Sequence, residues 1–180
     1  MRCAIELFFD NKSEKSVRSF TRKLERRGIT SYLLDVGSRP HLALSVFETS
    51  HVKDVQRAVE KFARRTEQFC LSFESLGMFP DCGALFLAPW VTRELLKIHL
   101  ECTKIIRPHV RKIEDYYKPG KLVFHCTLGM KMSRAMLLRA ASLAMGAKLP
   151  SKFRVMEIGL VELTSRSRLK VNGLSSIRLK

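Results

Sequence analysis

Two four-residue segments, His41-Leu42-Ala43-Leu44 and His125-Cys126-Thr127-Leu128, repeat the order histidine, apolar, small, leucine, 84 positions apart in a chain of 180 residues. Histidine is the side chain whose ordinary pKa, ~6.5, lets it take or give a proton near neutral pH. Two of them facing one group could serve as base and acid in a single reaction, each proton transfer contributing ~10²–10⁴ in rate. Side chains alternate along a strand, so His125 and Thr127 share a face, as do His41, Ala43 and Ser45, while Leu42, Cys126 and the leucines turn to a core. A lone histidine on a strand is ordinarily a packing or surface residue. A pair at matching points of a repeated unit implies a site built between the copies.

The elements around the two segments also repeat. Twenty-eight residues after His41 lies the strand-like stretch 69–77, and twenty-eight after His125 lies 153–161. Between histidine and second strand each half carries a helical pattern. In the first, Ser50 is the expected N-cap of a stripe of Val52, Val55, Val59 and Phe62. In the second, Ser133 caps a helix through Met136, Leu137, Ala140, Ala141 and Ala144, and Gly146 fits its end. Upstream, 13–27 presents Val17, Phe20 and Leu24 before Gly28, and 92–107 presents Leu95, Ile98 and Cys102 before Pro108. Further strands are predicted at 3–9, 30–36 and 84–87. Two copies are too few for a solenoid. The expectation is one domain over 1–180, with lobes of about 1–90 and 91–180 that could exchange strands.

Composition narrows the partners. Thirty-three Lys and Arg against seventeen Asp and Glu give +16, which favours a polyanion such as RNA or another phosphorylated ligand. Part of that charge is a solvated helix face, since Arg18, Arg22 and Arg26 recur at helical spacing, as do Arg57, Lys61 and Arg64. Five cysteines without CxxC spacing indicate neither a disulfide framework nor a zinc site, and point to a reducing, intracellular compartment. No apolar run approaches the ~20 residues that cross a bilayer, so no membrane partner is expected. Residues 1–6 place Glu6 where a signal peptide would be apolar, and read as a first strand. No glycine-rich phosphate loop of the GxxxxGK[ST] type occurs.

Paired histidine tetrads in the two halves of a chain this long resemble the 2H phosphoesterase superfamily, which includes bacterial 2′-5′ RNA ligase-like proteins and plant cyclic phosphodiesterases. Ala4-Ile5-Glu6-Leu7-Phe8-Phe9-Asp10, Ser38-Arg39-Pro40-His41, Leu85-Phe86-Leu87-Ala88-Pro89 and the run from Tyr117 to His125 look most like the plant-type RNA ligase/cyclic nucleotide phosphodiesterase branch. The likeness covers roughly residues 3–163. It implies an α+β fold of two similar lobes related by a pseudo-two-fold. Each lobe would be a mostly antiparallel sheet with helices packed outside, and the histidines would face a central cleft. It also implies opening of a 2′,3′-cyclic phosphate on RNA or a nucleotide, or related transfer at a 2′-linked phosphodiester, without metal or other cofactor, in the cytoplasm or, in a eukaryote, the nucleus. One imidazole would take a proton from water and the other give one to the departing ribose oxygen, with the Thr127 hydroxyl on the phosphate.

The chain departs from that pattern at Ala43, where a Thr or Ser is usual. A methyl cannot donate, at a cost of roughly one to a few kcal/mol if that position meets phosphate. Ser45, ~6.8 Å further along the strand, could reach a different oxygen or a water. Phe124 stands where a proline often precedes the second histidine. Ala43→Thr is expected to raise turnover. Tyr117 could stack on a base or pack the lobe interface, and Arg39 and Lys131 flank the motifs where they could attract phosphate. His51, His99 and His109 read as structural or exposed. Cys126 points away from His125, which disfavours a Cys-His nucleophile. The competing reading is a binding protein that keeps the cleft and the charge without turnover.

Overall fold

The structure is a computed structural model that describes residues 1–164 and 170–180. The elements run β1 (Arg2–Phe9), α1 (Asn11–Arg26), α2 (Tyr32–Asp35), β2 (His41–Glu48), α3 (Val52–Ala63), β3 (Phe69–Phe79), β4 (Ala84–Pro89) and α4 (Arg93–Ile106). They continue with β5 (Lys112–Ile113), β6 (Cys126–Gly129), α5 (Arg134–Met145), β7 (Lys152–Thr164) and β8 (Lys170–Arg178).

All pairings among the described strands are antiparallel. They join into one eight-stranded sheet in the order β5-β2-β1-β7-β3-β4-β6, with β8 also on β7. The two sheets expected from sequence are thus continuous through the short pairing of Phe69–Ser72 with Lys152–Val155. Outward from that junction, one arm carries β1 then β2 and the other β4 then β6. The segment leading from each histidine therefore lies beyond the inner strand of its arm, β2 with the short β5 outside it and β6 at the edge. The inner strands are crossed: β7, late in the chain, pairs with β1, while β3 pairs with β4. A single cut at residue 90 does not follow this division, because β4 lies with β6.

The helices form where apolar stripes need a sheet to cover them. α1 buries Val17, Phe20 and Leu24, α3 buries Val55, Val59 and Phe62, α4 buries Leu95, Ile98 and Cys102, and α5 buries Leu137, Ala140 and Ala144. All join one core with Leu42, Leu44, Cys126 and Leu128. Caps fix the ends. Asp10 accepts from Ser13 N, Thr92 from Leu95 N and Ser133 from Met136 N. A smaller cluster, Ala4, Phe8, Val46 and Val161, covered by Tyr117 and Leu163, lies apart from that core.

Two local expectations are corrected. Residues 30–36 form no strand: Ser31 Oγ donates to Asp35 Oδ2 at 2.6 Å, Leu34 and Asp35 N–H reach the Ser31 carbonyl, and the single turn α2 results. Hydroxyl and carboxylate four residues apart closed the turn where alternation suggested a strand. Ser50 is not the cap of α3. His51 holds that position, and Thr49 Oγ1 accepts from its N–H.

Candidate active site

The outer strands, remote in sheet order, approach one another, and the His41 backbone N–H faces the Cys126 sulfur. His41 and Thr127 line one pocket with Arg18, Thr21, Leu33, Leu34, Arg39 and Pro40. His125 stands two residues before Thr127, at the head of the strand that lies beside β2.

Each imidazole is anchored alike. His41 Nδ1 meets the carbonyl of Arg39 at 2.7 Å, and His125 Nδ1 the carbonyl of Val123 at 2.6 Å, each two residues back. A carbonyl only accepts, so both Nδ1 atoms carry the hydrogen and, in a neutral ring, Nε2 is the free base.

Their surroundings then diverge. His125 sits against two rings, Phe79 at 5.2 Å edge-on and Phe86 at 5.1 Å. Gly77, the register partner of Phe86, makes room: a β-carbon there would collide with that ring. Burial holds the His125 imidazole below its ordinary value. The hydrogen bond to Val123 opposes this, and the His41 charge adds to it. His41 Nε2 instead lies 3.4 Å from Oε1 of Glu6, a carboxyl whose side chain is only 4% exposed. Burial pushes that carboxyl above its ordinary value, against the pull of His41 and Arg39.

Glu6 was not read from the sequence as a site residue. It is the cross-strand partner of Ala43, and in the other arm the partner of Thr127 is Phe86. One arm therefore has methyl and carboxylate where the other has hydroxyl and ring. No local signal could show this, since the pairing joins residues far apart in sequence.

The remaining candidates fall as follows. Arg39 is held by its Nε on Glu14 Oε1 at 2.8 Å and by two bonds to Glu157 at 3.0 and 3.1 Å, with the guanidinium over the Phe8 ring. It positions the strand entering His41 and lines the pocket, with its donors bonded to the carboxylates of Glu14 and Glu157. Ser45 is fully buried and its Oγ has no hydrogen-bond partner. A β-bulge shifts the register between Ala43 and Ser45, so regular alternation fails there, and Val46 and Phe47 face opposite clusters. The expected reach of Ser45 into the cleft is corrected accordingly. Tyr117 covers the cluster of Ala4, Phe8 and Val46, and burial, with Glu114 and Glu6 nearby, pushes its phenol up to about 12. Its carbonyl accepts from His99 Nε2 at 3.1 Å, and His99 also meets the Phe124 ring edge-on. This buried histidine pins the segment that delivers His125. Lys131 is exposed on the turn after β6 and does not line the pocket of His41 and Thr127.

Cys126 is buried and its thiol is pushed up to about 12 by desolvation, consistent with its place in the core. Among the described residues no group of three or more His, Cys, Asp or Glu is arranged to hold a metal ion, and no helix is long and apolar enough to cross a membrane.

Known proteins agree with this architecture. E. coli LigT complexed with 3′-AMP superposes with a TM-score of 0.65 at 14% identity, covering 99% of this chain and 96% of that one. TT0787 of Thermus thermophilus gives 0.64 at 16% identity, over 99% and 98%. E. coli LigT complexed with NADP+ gives 0.62 at 15%, over 99% and 97%. Among curated proteins no sequence matches. The family model of the 2′-5′ RNA ligase superfamily matches residues 16–166, and the chain belongs to that superfamily.

Proposed function

We propose that the protein opens 2′,3′-cyclic phosphates on RNA ends or small nucleotides, with His41 and His125 as the acid–base pair and Thr127 as a donor to the phosphoryl oxygens. The observation that carries this reading is the matched anchoring of the two imidazoles, each held at Nδ1 with Nε2 left for chemistry. In the step, a water oxygen attacks phosphorus as one imidazole takes its proton. The bond from phosphorus to one ribose oxygen breaks, and the other imidazole protonates that oxygen. Two imidazoles supply both transfers, so the reading calls for no metal.

The charge supports a nucleotide or RNA substrate. Arg18 lines the pocket with His41 and Thr127, and Arg22 and Arg26 continue from it along α1 beside Lys15. None of the four has an ion-pair partner among the described residues. A row of unpaired arginines leading away from the histidines suits the phosphates of a strand extending beyond its terminal nucleotide. The likeness to LigT, solved with 3′-AMP and with NADP+, supports a nucleotide in this fold, and a reducing cytoplasmic compartment fits five unbridged cysteines.

A second reading, a binding protein with weak or no turnover, is favoured by Ala43. Hydrolysis of nucleoside 2′,3′-cyclic monophosphates in the presence of a chelator separates the two. Turnover cut by ~10²- to 10⁴-fold in His41→Ala and in His125→Ala supports the enzyme. Binding that survives both changes, with no turnover in the wild type, supports the module.

A further inference from the structure

We propose that Glu6 is the positioning residue of His41: its carboxylate, across the strands from Ala43, keeps a proton on Nε2, and makes His41 the acid and His125 the base. The division into acid and base rests on the function proposed above. The shared proton does not.

The argument begins with the tautomer. His41 Nδ1 is committed as a donor to the Arg39 carbonyl, so in a neutral ring Nε2 would present a lone pair. Yet Nε2 lies 3.4 Å from a carboxyl oxygen of Glu6, which is buried. Two lone pairs brought this close beside a buried carboxyl repel. A single proton on the pair removes the conflict, either as imidazolium with carboxylate or as neutral imidazole with carboxylic acid. The titratable groups facing the pair are Arg39, from the segment entering β2, Tyr117, from the turn packed over β1, and His125, at the head of β6. Burial favours the carboxylic acid, while Arg39 favours the carboxylate and with it the proposed form, with the proton on His41. At 3.4 Å the contact is long for a charge-assisted hydrogen bond, so the Nε2 proton is held without being consumed, and a leaving oxygen can compete for it.

His125 has the opposite setting. Phe79 and Phe86 offer no acceptor, and a proton held on His41 would discourage a second. It rests neutral with Nε2 bare, ready to take a proton from water. The cycle balances: His41 gives its proton to the ribose oxygen as the bond to phosphorus breaks, His125 gains one from the attacking water, and exchange with solvent restores both. The two arms thus assign the roles through the residues opposite Ala43 and Thr127. Glu6 lies across from one and Phe86 from the other.

The test is imidazole ¹⁵N NMR on the whole protein with pH–rate profiles of the same samples, for wild type, Glu6→Gln and Glu6→Asp. At pH 7 the wild type should show a proton on His41 Nε2 and none on His125 Nε2. Glu6→Gln, whose amide can donate to Nε2, should remove that proton, lower kcat/KM at neutral pH by ~10- to 100-fold and draw the alkaline limb toward lower pH. Glu6→Asp should restore part of both. A bare His41 Nε2 in the wild type, or Glu6→Gln with the wild-type proton and profile, overturns the assignment. If Glu6→Gln does not fold, the wild-type spectrum and Glu6→Asp decide. A protonated His41 in a protein with no turnover would sink the proposed function while leaving the Glu6–His41 pair standing.

Discussion

Glu6 lies directly across β1 and β2 from Ala43, with its carboxyl oxygen 3.4 Å from His41 Nε2. Where the superfamily resemblance leads one to expect a hydroxyl, the strand pairing brings a carboxylate from the neighbouring strand. The pairing thus sets the Ala43 methyl and the Glu6 carboxyl side by side next to His41.

That pairing changes what a restored hydroxyl would do. From sequence alone, Ala43→Thr should raise turnover. With Glu6 opposite, a new hydroxyl meets a carboxylate first, at the ~5 Å spacing of cross-strand β-carbons. The gain from Ala43→Thr should therefore be larger in the Glu6→Gln background than in the wild type, by ~3-fold or more in kcat/KM on a cyclic nucleotide. Equal gains in the two backgrounds would show that the positions act independently.

Arg39 and Arg18 should separate cleanly. Arg39 spends its donors on Glu14 and Glu157, and these bonds outweigh burial and hold its guanidinium above its ordinary value. Its charge is about a third exposed, so solvent screens the pairs. Arg39→Gln should cost about 1–2 kcal/mol of stability, read by denaturant unfolding, with no change in the salt dependence of RNA binding. Arg18→Ala and Arg22→Ala should leave stability within ~0.5 kcal/mol and each lower the slope of log K against log salt by ~0.7. A loss of salt dependence in Arg39→Gln alone would invert these roles.

The ring cover of His125 makes a pH prediction. Burial lowers that imidazole, so a base of this kind stays unprotonated to lower pH than an ordinary histidine, and the acid limb of the profile lies below ~6.5. Phe79→Ala admits water to one side of the ring. The acid limb should then move up toward ~6.5, visible in kcat/KM against pH. A limb that stays in place would mean that Phe79 does not set the polarity around His125.

The parts of this account visible in the sequence are those carried by local pattern. Both tetrads, the shared 28-residue interval and the four long helices depend on spacing within a few turns or one strand. What stayed hidden depends on distant pairing. Glu6 meets Ala43 only because β1 pairs with β2, and the partners of Arg39 come from α1 and β7. Ser45 was misplaced because one bulge breaks the alternation its reading relied on. The strand β8 was missed because Lys170–Arg178 carries Asn, Gly and Ser, residues of low strand preference, and owes its conformation to the edge of β7.

The pH dependence of kcat/KM toward a nucleoside 2′,3′-cyclic phosphate, compared among the wild type, His41→Ala and His125→Ala, tests most directly whether the two imidazoles serve one reaction. The account predicts a bell for the wild type, residual activity in His125→Ala that has lost the acid limb, and residual activity in His41→Ala that has lost the alkaline one. A wild-type profile flat through neutrality, or a bell that persists in both variants, would contradict it.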